Sequence, residues 1–140
     1  MIARLAGPNE LDECLALRRV VFVEEQDVPA DLEEDGLDPS CTHFVVRDAG
    51  GSVVGTARMR EYHGAAKAER VAVHPSARGT GVGRLLMDAL EAEARRQGRP
   101  EVRLNAQPSA IPFYDRLGYL AEGPEFDDAG IPHRHMRKAV

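Results

Sequence analysis

Apolar and polar residues follow two periods along this chain, and the order of those periods predicts a mixed fold. Thr42 to Asp48 and Ser52 to Tyr62 read as strands on either side of Ala49-Gly50-Gly51, a β-hairpin. Lys67 to Val73 supplies a third strand, so an antiparallel meander precedes the middle of the chain. The period then changes. Val82, Leu85, Leu86, Ala89 and Leu90 recur at helical spacing while Arg84, Asp88, Glu91 and Arg95 face the other way, and Gly98 and Pro100 end this long helix.

The flanks follow the same logic. Ile2 to Leu5 is a short strand, and Asn9 ahead of Glu10-Leu11-Asp12-Glu13 predicts an N-capped helix running to about Val23. Pro29 and Gly36 bracket a short acidic segment of one or two turns. After the long helix come a strand over Glu101 to Ala106, a short helix over Ser109 to Leu117 stopped by Gly118, and strands near Tyr119 to Glu122 and His133 to Ala139. A helical crossover joins Lys67–Val73 to Glu101–Ala106, so those two strands are expected to lie parallel in an otherwise antiparallel sheet.

Arg78-Gly79-Thr80-Gly81-Val82-Gly83 sits between a strand and the long helix. Three close glycines let backbone N–H groups approach a phosphate at the positive helix end, so the turn predicts a phosphorylated cofactor. It lacks the Lys and hydroxyl of a nucleotidase phosphate loop, and Arg84 stands where the third glycine of a dinucleotide fingerprint belongs.

Bulk properties narrow the picture. A chain of 140 residues fits one domain over 1–140, with no apolar run of membrane-spanning length and no signal pattern at its start, which predicts a cytoplasmic protein with no membrane partner. A net charge of −5 disfavours nucleic acid as a partner. The acids from Glu24 to Asp38 run without an intervening Lys or Arg, read either as a solvated loop face or as a lure for a cationic substrate. Two cysteines make no disulfide framework, and Cys14 reads as a small core filler.

Glu69-Arg70-Val71-Ala72-Val73, the glycine turn, and Phe113-Tyr114-Asp115-Arg116-Leu117-Gly118-Tyr119 together resemble the GNAT superfamily of acetyl-CoA-dependent N-acetyltransferases. Phe22-Val23-Glu24-Glu25-Gln26 and Asp128-Ala129-Gly130-Ile131-Pro132-His133 further resemble its ElaA-like branch. The resemblance implies an α/β fold of the GNAT type: a mixed, mostly antiparallel sheet, flanked by helices, whose central parallel pair splays into a V. Acetyl-CoA would enter that V as co-substrate. Backbone groups of Val71, Ala72 and Val73 would pair with its pantetheine arm, and the amides of Arg78, Gly79, Thr80, Gly81, Val82 and Gly83 would hold its pyrophosphate. Gln107 stands where many members carry a cofactor-binding Asn, with the same amide chemistry.

Acetyl transfer to a primary amine then needs an acid, a base and an oxyanion donor. Tyr114 is the expected acid toward the departing sulfur, and the Val73 N–H the oxyanion donor. Glu69, placed by strand alternation on the face of Lys67, Val71 and Val73, is the expected base, or else a surface salt-bridge partner. Glu25, Arg58, Arg70 and His133 are expected near the acceptor, the arginines suiting an acceptor carboxylate or phosphate and Glu25 an ammonium. The acceptor is a small-molecule or peptide amine, and the protein a monomer or a homodimer paired through its C-terminal strands.

Two rival chemistries and one non-enzymatic role compete with this reading. Cys41 and His43 share a strand face as thiol and base but lack an orienting third group. His133 and His135 have the same spacing, with His43, His63 and His74 scattered, so no metal is expected. An acyl-CoA-binding regulatory module without turnover uses the same turn, and retention of Tyr114 favours the enzyme.

Overall fold

The computed structural model describes residues 1–140. Seven strands form one sheet in the order β1-β2-β3-β4-β5-β7-β6. They are β1 (Ala3–Leu5), β2 (Thr42–Arg47), β3 (Val53–Tyr62), β4 (Ala65–Val73), β5 (Glu101–Ala106), β6 (Leu120–Asp128) and β7 (Ile131–Ala139). The predicted meander is β2-β3-β4, and β4 and β5 are the parallel pair, joined by the long helix α3 (Val82–Arg96). α1 (Leu11–Arg18), α2 (Ala30–Glu33) and α4 (Ile111–Arg116) complete the set. No helix is long and apolar enough to cross a membrane.

The main core lies between α3 and the sheet. Val82, Leu86, Met87, Leu90 and Ala94 are all at most 1% exposed and pack on Phe44, Val46, Ala66, Val102 and Leu104. Fully burying each large aliphatic side chain stabilises the fold by about 1.5–3 kcal/mol. The opposite face carries a smaller cluster of Leu17, Val21 and Ala72 beneath α1.

Three local expectations are corrected. α1 takes its start from Glu10 and not Asn9: the chain enters through a 3-10 turn over Pro8–Glu10, and the Glu10 carboxylate accepts the Gly7 N–H at 2.9 Å. Its C-terminal half is not α-helical, because Arg19–Glu25 widens into a π-helix that carries the segment two residues past Val23. Glu91, expected on the polar face of α3, is buried, accepting hydrogen bonds from Tyr119 Oη and Lys138 Nζ at 2.8 Å each. Those bonds tie α3 to the C-terminal strands and replace the water that Glu91 gives up.

Candidate active site

β4 and β5 pair only at Ala66↔Val102 and Lys67↔Arg103, then diverge. A bulge interrupts β4 just beyond that pairing. Thr56 opposes Ala72 and Arg58 opposes Glu69, so Ala57 alone faces Arg70 and Val71, and Arg70 adopts φ +53°. The extra residue resets the side-chain alternation. Lys67 and Glu69 lie on the α1 side, but Val71 and Val73 pack toward α3 while Ala72 turns under α1. Glu69 therefore does not share a face with Val71 and Val73, as plain alternation predicts.

The backbone beyond the bulge divides in the same way. His74 N–H donates to Val54 O at 2.8 Å, which makes Ala72 and Thr56 the next hydrogen-bonded pair and ties Ala72 to β3. Val73, between them, directs its N–H and C=O away from β3 into the splay. A cavity of about 430 Å³ fills that splay, lined by Glu69, Arg70, Val71, Gln107, Tyr114 and His133 among others.

At one end of the V stands the glycine turn. Gly79 and Gly81 take φ of +77° and +89°, and space around both is open to 4 Å from where a Cβ would sit. The amides of Gly79, Thr80 and Gly81 find no acceptor within the protein, and the first helical bond of α3 is Leu85 N–H to Gly81 O at 3.1 Å. Val82, Gly83 and Arg84 thus present the free first-turn amides of a 15-residue helix. Gly83 also lets Phe113 approach, since a Cβ there would meet its ring at 3.0 Å. The donors fit a diphosphate.

Arg78 and Glu25 form a bidentate pair beside this turn, and the guanidinium holds the Glu25 carboxyl below its usual range. Arg78 Nε also donates to Val73 O at 3.2 Å. Glu25 is thus paired with Arg78 beside the glycine turn and does not line the cavity. Thr80 Oγ1 donates to Ala77 O and closes the turn.

Tyr114 is only 8% exposed, yet it lines the cavity and its hydroxyl makes no hydrogen bond within the protein. Burial pushes its phenol well above the ordinary value, so it stays protonated at any physiological pH. Phe113 and Tyr119 hold the ring edge-on, with centroids 4.9 and 5.8 Å away. Gln107 Nε2 donates to Gln26 Oε1 at 2.8 Å, linking β5 to the π-helical turn across the cavity.

Glu69 sits in a cationic nest. Burial works to raise its carboxyl, but Arg60, Arg58 and Lys67 outweigh it and hold the group below its ordinary value. Arg60 Nε and Arg58 Nη2 donate at 2.8 and 2.9 Å, and Lys67 Nζ stands 3.3 Å away. Arg58 is 1% exposed and also grips Asp35 and Asp38 at 2.9 and 3.1 Å, so its guanidinium does not reach the cavity wall. Arg70 reaches the cavity but donates to Glu33 O at 3.1 Å. The acidic segment is a solvated face only in part: Glu24, Asp27, Asp31 and Glu34 are exposed, whereas Glu33, Asp35 and Asp38 pair with Arg18, Arg58 and Arg70.

A family model described as an acetyltransferase (GNAT) domain matches residues 15–140. The chain belongs to the GNAT acetyltransferase family. It is 45% identical over 131 residues to the Bacillus subtilis uncharacterized N-acetyltransferase YjcF, covering 93% of each chain. An acyl-CoA N-acyltransferase from Pseudomonas aeruginosa superposes with TM-score 0.84 at 32% identity, covering 96% of this chain and 93% of that one. Escherichia coli ElaA superposes at 0.80 with 26% identity, covering 95% and 92%. This GNAT domain is an acyltransferase of mixed sheet architecture, as its motifs lead one to expect.

Within the GNAT frame, several cavity residues have no sequence signal of their own. Phe22, Gln26, Val28 and Leu32 come from the π-helical turn and α2, and Asn105 and Ser109 from β5 and the loop after it. Gln26 and Phe22 lie in the stretch resembling the ElaA-like branch, which is the one hint available for them. The Cys41 and His43 pairing is absent: the Cys41 thiol donates to Leu37 O at 3.1 Å, burial raises its pKa, and His43 Nε2 faces Asp38 O at 2.9 Å.

Proposed function

We propose that residues 1–140 act as one catalytic domain that moves an acetyl group from acetyl-CoA to the primary amine of a small molecule or peptide, by direct attack of the amine on the thioester. The observation that carries this reading is a set of three hydrogen-bond donors left unused around the splay of β4 and β5, of which Tyr114 lines the cavity. They are the free amides ahead of α3, the Val73 N–H turned into the splay, and the unpartnered hydroxyl of Tyr114.

Acetyl-CoA supplies a carbonyl open to nucleophiles and a thiol as leaving group. The chain's own residues do the rest. The turn amides and α3 bind the diphosphate, and Arg78 adds charge there once it parts from Glu25. Val73 N–H donates toward the carbonyl oxygen as negative charge develops on it, in a buried setting where such a donor is worth most. Tyr114 holds its proton at Oη until the sulfur needs it, which its elevated pKa favours.

Glu69 seats the acceptor amine, whose proton leaves through water to solvent before attack. With its pKa lowered Glu69 is ionised throughout the neutral range, so it serves better as the carboxylate that seats an ammonium than as a strong base. Gln107, together with Gln26, borders the pantetheine path, and Arg70 and His133 border the acceptor end. A reduced cytoplasm, where acetyl-CoA is made and two free thiols persist, suits this chemistry.

The test is calorimetric titration with acetyl-CoA alongside thiol release across a panel of amines. Binding with amine-dependent thiol release is the expected result. Binding without release from any amine identifies a sensor, and absence of binding rejects the reading altogether.

A further inference from the structure

The cavity in the V has a neighbour. Lys67, Leu104 and Asn105 line it and also line a second cavity of about 160 Å³. Val102, Leu104 and Met136 point into the core beneath α3, so Arg103, Asn105, His135 and Arg137, which alternate with them, occupy the opposite, open face of the sheet. The second cavity lies on that face, beginning where the β4–β5 pairing ends at Lys67↔Arg103.

Its wall is cationic. Lys67, Arg103 and Arg137 line it against one carboxylate, Glu122. Glu101 engages Arg103 through Nε at 2.7 Å, which leaves the two terminal nitrogens of that guanidinium without a hydrogen bond. Arg137 stands 3.2 Å from Glu122 and 3.9 Å from Glu101 and forms no hydrogen bond with either. Lys67 Nζ, 4.7 Å over the Tyr62 ring, is held in place by a ring face and one carboxylate edge. Three cations with donors to spare converge on a space that accommodates about five water molecules, the size of a carboxylate or phosphate and its first carbons.

Asn105 marks the seam between the two cavities. Its Oδ1 is buried with no hydrogen-bond partner. An orphaned buried acceptor of this kind is destabilising, and an amine N–H placed at the seam would satisfy it. Glu69 lines the first cavity beside the same Lys67.

We infer that the second cavity is the acceptor subsite, and that the acceptor is a small amine bearing an anionic group: its amine sits at the seam on Asn105 and Glu69, and its carboxylate or phosphate is held by Lys67, Arg103 and Arg137. The inference rests on the transferase reading for the meaning of "acceptor", but not for the binding itself. Polyamines are disfavoured by the same three cations, and amino sugars without an anionic group gain nothing from them.

Matched pairs test it. Ethanolamine against O-phosphoethanolamine, and β-alaninamide against β-alanine, are titrated into CoA-saturated protein by calorimetry, and the same compounds are offered with acetyl-CoA for thiol release. In one pair the anionic member is expected to bind at least roughly tenfold tighter, the effect of one charge-assisted contact, and the responsive pair identifies phosphate or carboxylate as the group. The double variant Arg103→Gln/Arg137→Gln, at positions exposed enough to fold normally, is expected to abolish that preference, and Lys67→Gln to weaken it. Equal or weaker binding of both anionic members, absence of binding by all four, or a preference that survives both variants overturns the subsite. A preference without thiol release upholds the subsite and rejects transfer; release from neutral amines with no preference does the reverse.

Discussion

Tyr114, Glu25 and Glu69 show how little of a side chain's role is contained in its type. The Tyr114 hydroxyl faces the cavity with no partner, so Tyr114→Phe removes a proton and almost no packing. We expect kcat to fall more than about tenfold with acetyl-CoA affinity unchanged, because the lost interaction belongs to the transition state alone. Glu25 neutralises Arg78 beside the glycine turn proposed to hold the diphosphate, so Glu25→Gln should strengthen CoA binding. Both partners are well exposed, at 42% and 37%, which limits the gain to about twofold to fivefold by calorimetry. Glu69 is held ionised by three cations, so the rise of kcat/KM between pH 6 and 9 should follow the acceptor's own amine. Glu69→Gln is expected to lower that rate without moving the limb, and a limb that shifts would make Glu69 the titrating base.

At the scale of elements, the site depends on where α3 begins. Gly55 on β3 is extended, and a Cβ there would come within 2.5 Å of Val82 Cγ1 and 3.2 Å of Leu86 Cδ1. Gly55→Ala would push the first turn of α3 off the sheet, costing about 1–3 kcal/mol as overpacking does. A lower urea midpoint, together with weaker CoA binding, is the expected readout, since the displaced turn carries the free amides proposed to hold the diphosphate. The β4 bulge matters equally. One additional residue between Glu69 and Ala72 turns Glu69 toward α1 and Val71 toward α3, so the two residues line one cavity from different sides.

For the whole molecule, the ion network beneath the acidic segment joins α1, α2, β3 and β4 through Arg18, Arg58 and Arg70. Arg58→Ala leaves Asp35, Asp38 and Glu69 without their shared cation, and breaking a buried pair in this way costs about 3–5 kcal/mol. The network also sets an acid limit. Arg58 lowers Asp35; Asp38 and Glu69 are raised by burial but lowered further by their arginines. All three are depressed in the folded state, so their stabilisation is complete above the ordinary carboxylate range near pH 4 and is lost as pH falls through the folded values. Thermal unfolding midpoints should therefore hold steady from pH 7 to 5 and drop steeply below about 4.

Periodicity alone determined the strand and helix order, the parallel pair and the glycine turn ahead of α3, because each depends on residues adjacent in the chain: alternation, helical spacing, and glycines that tolerate positive φ. The acidic run, the buried Glu91 and the positions of Glu25 and Arg58 were decided only by tertiary structure. Charge in a sequence has no address, and whether a carboxylate faces water or an arginine is settled by which distant strand folds against it. The same holds for Asn105 and the cationic wall beside it, assembled from five strands and from residues as far apart in the chain as Tyr62 and Arg137. Nothing local signals such a surface, since its only common property is the face of the sheet its residues share.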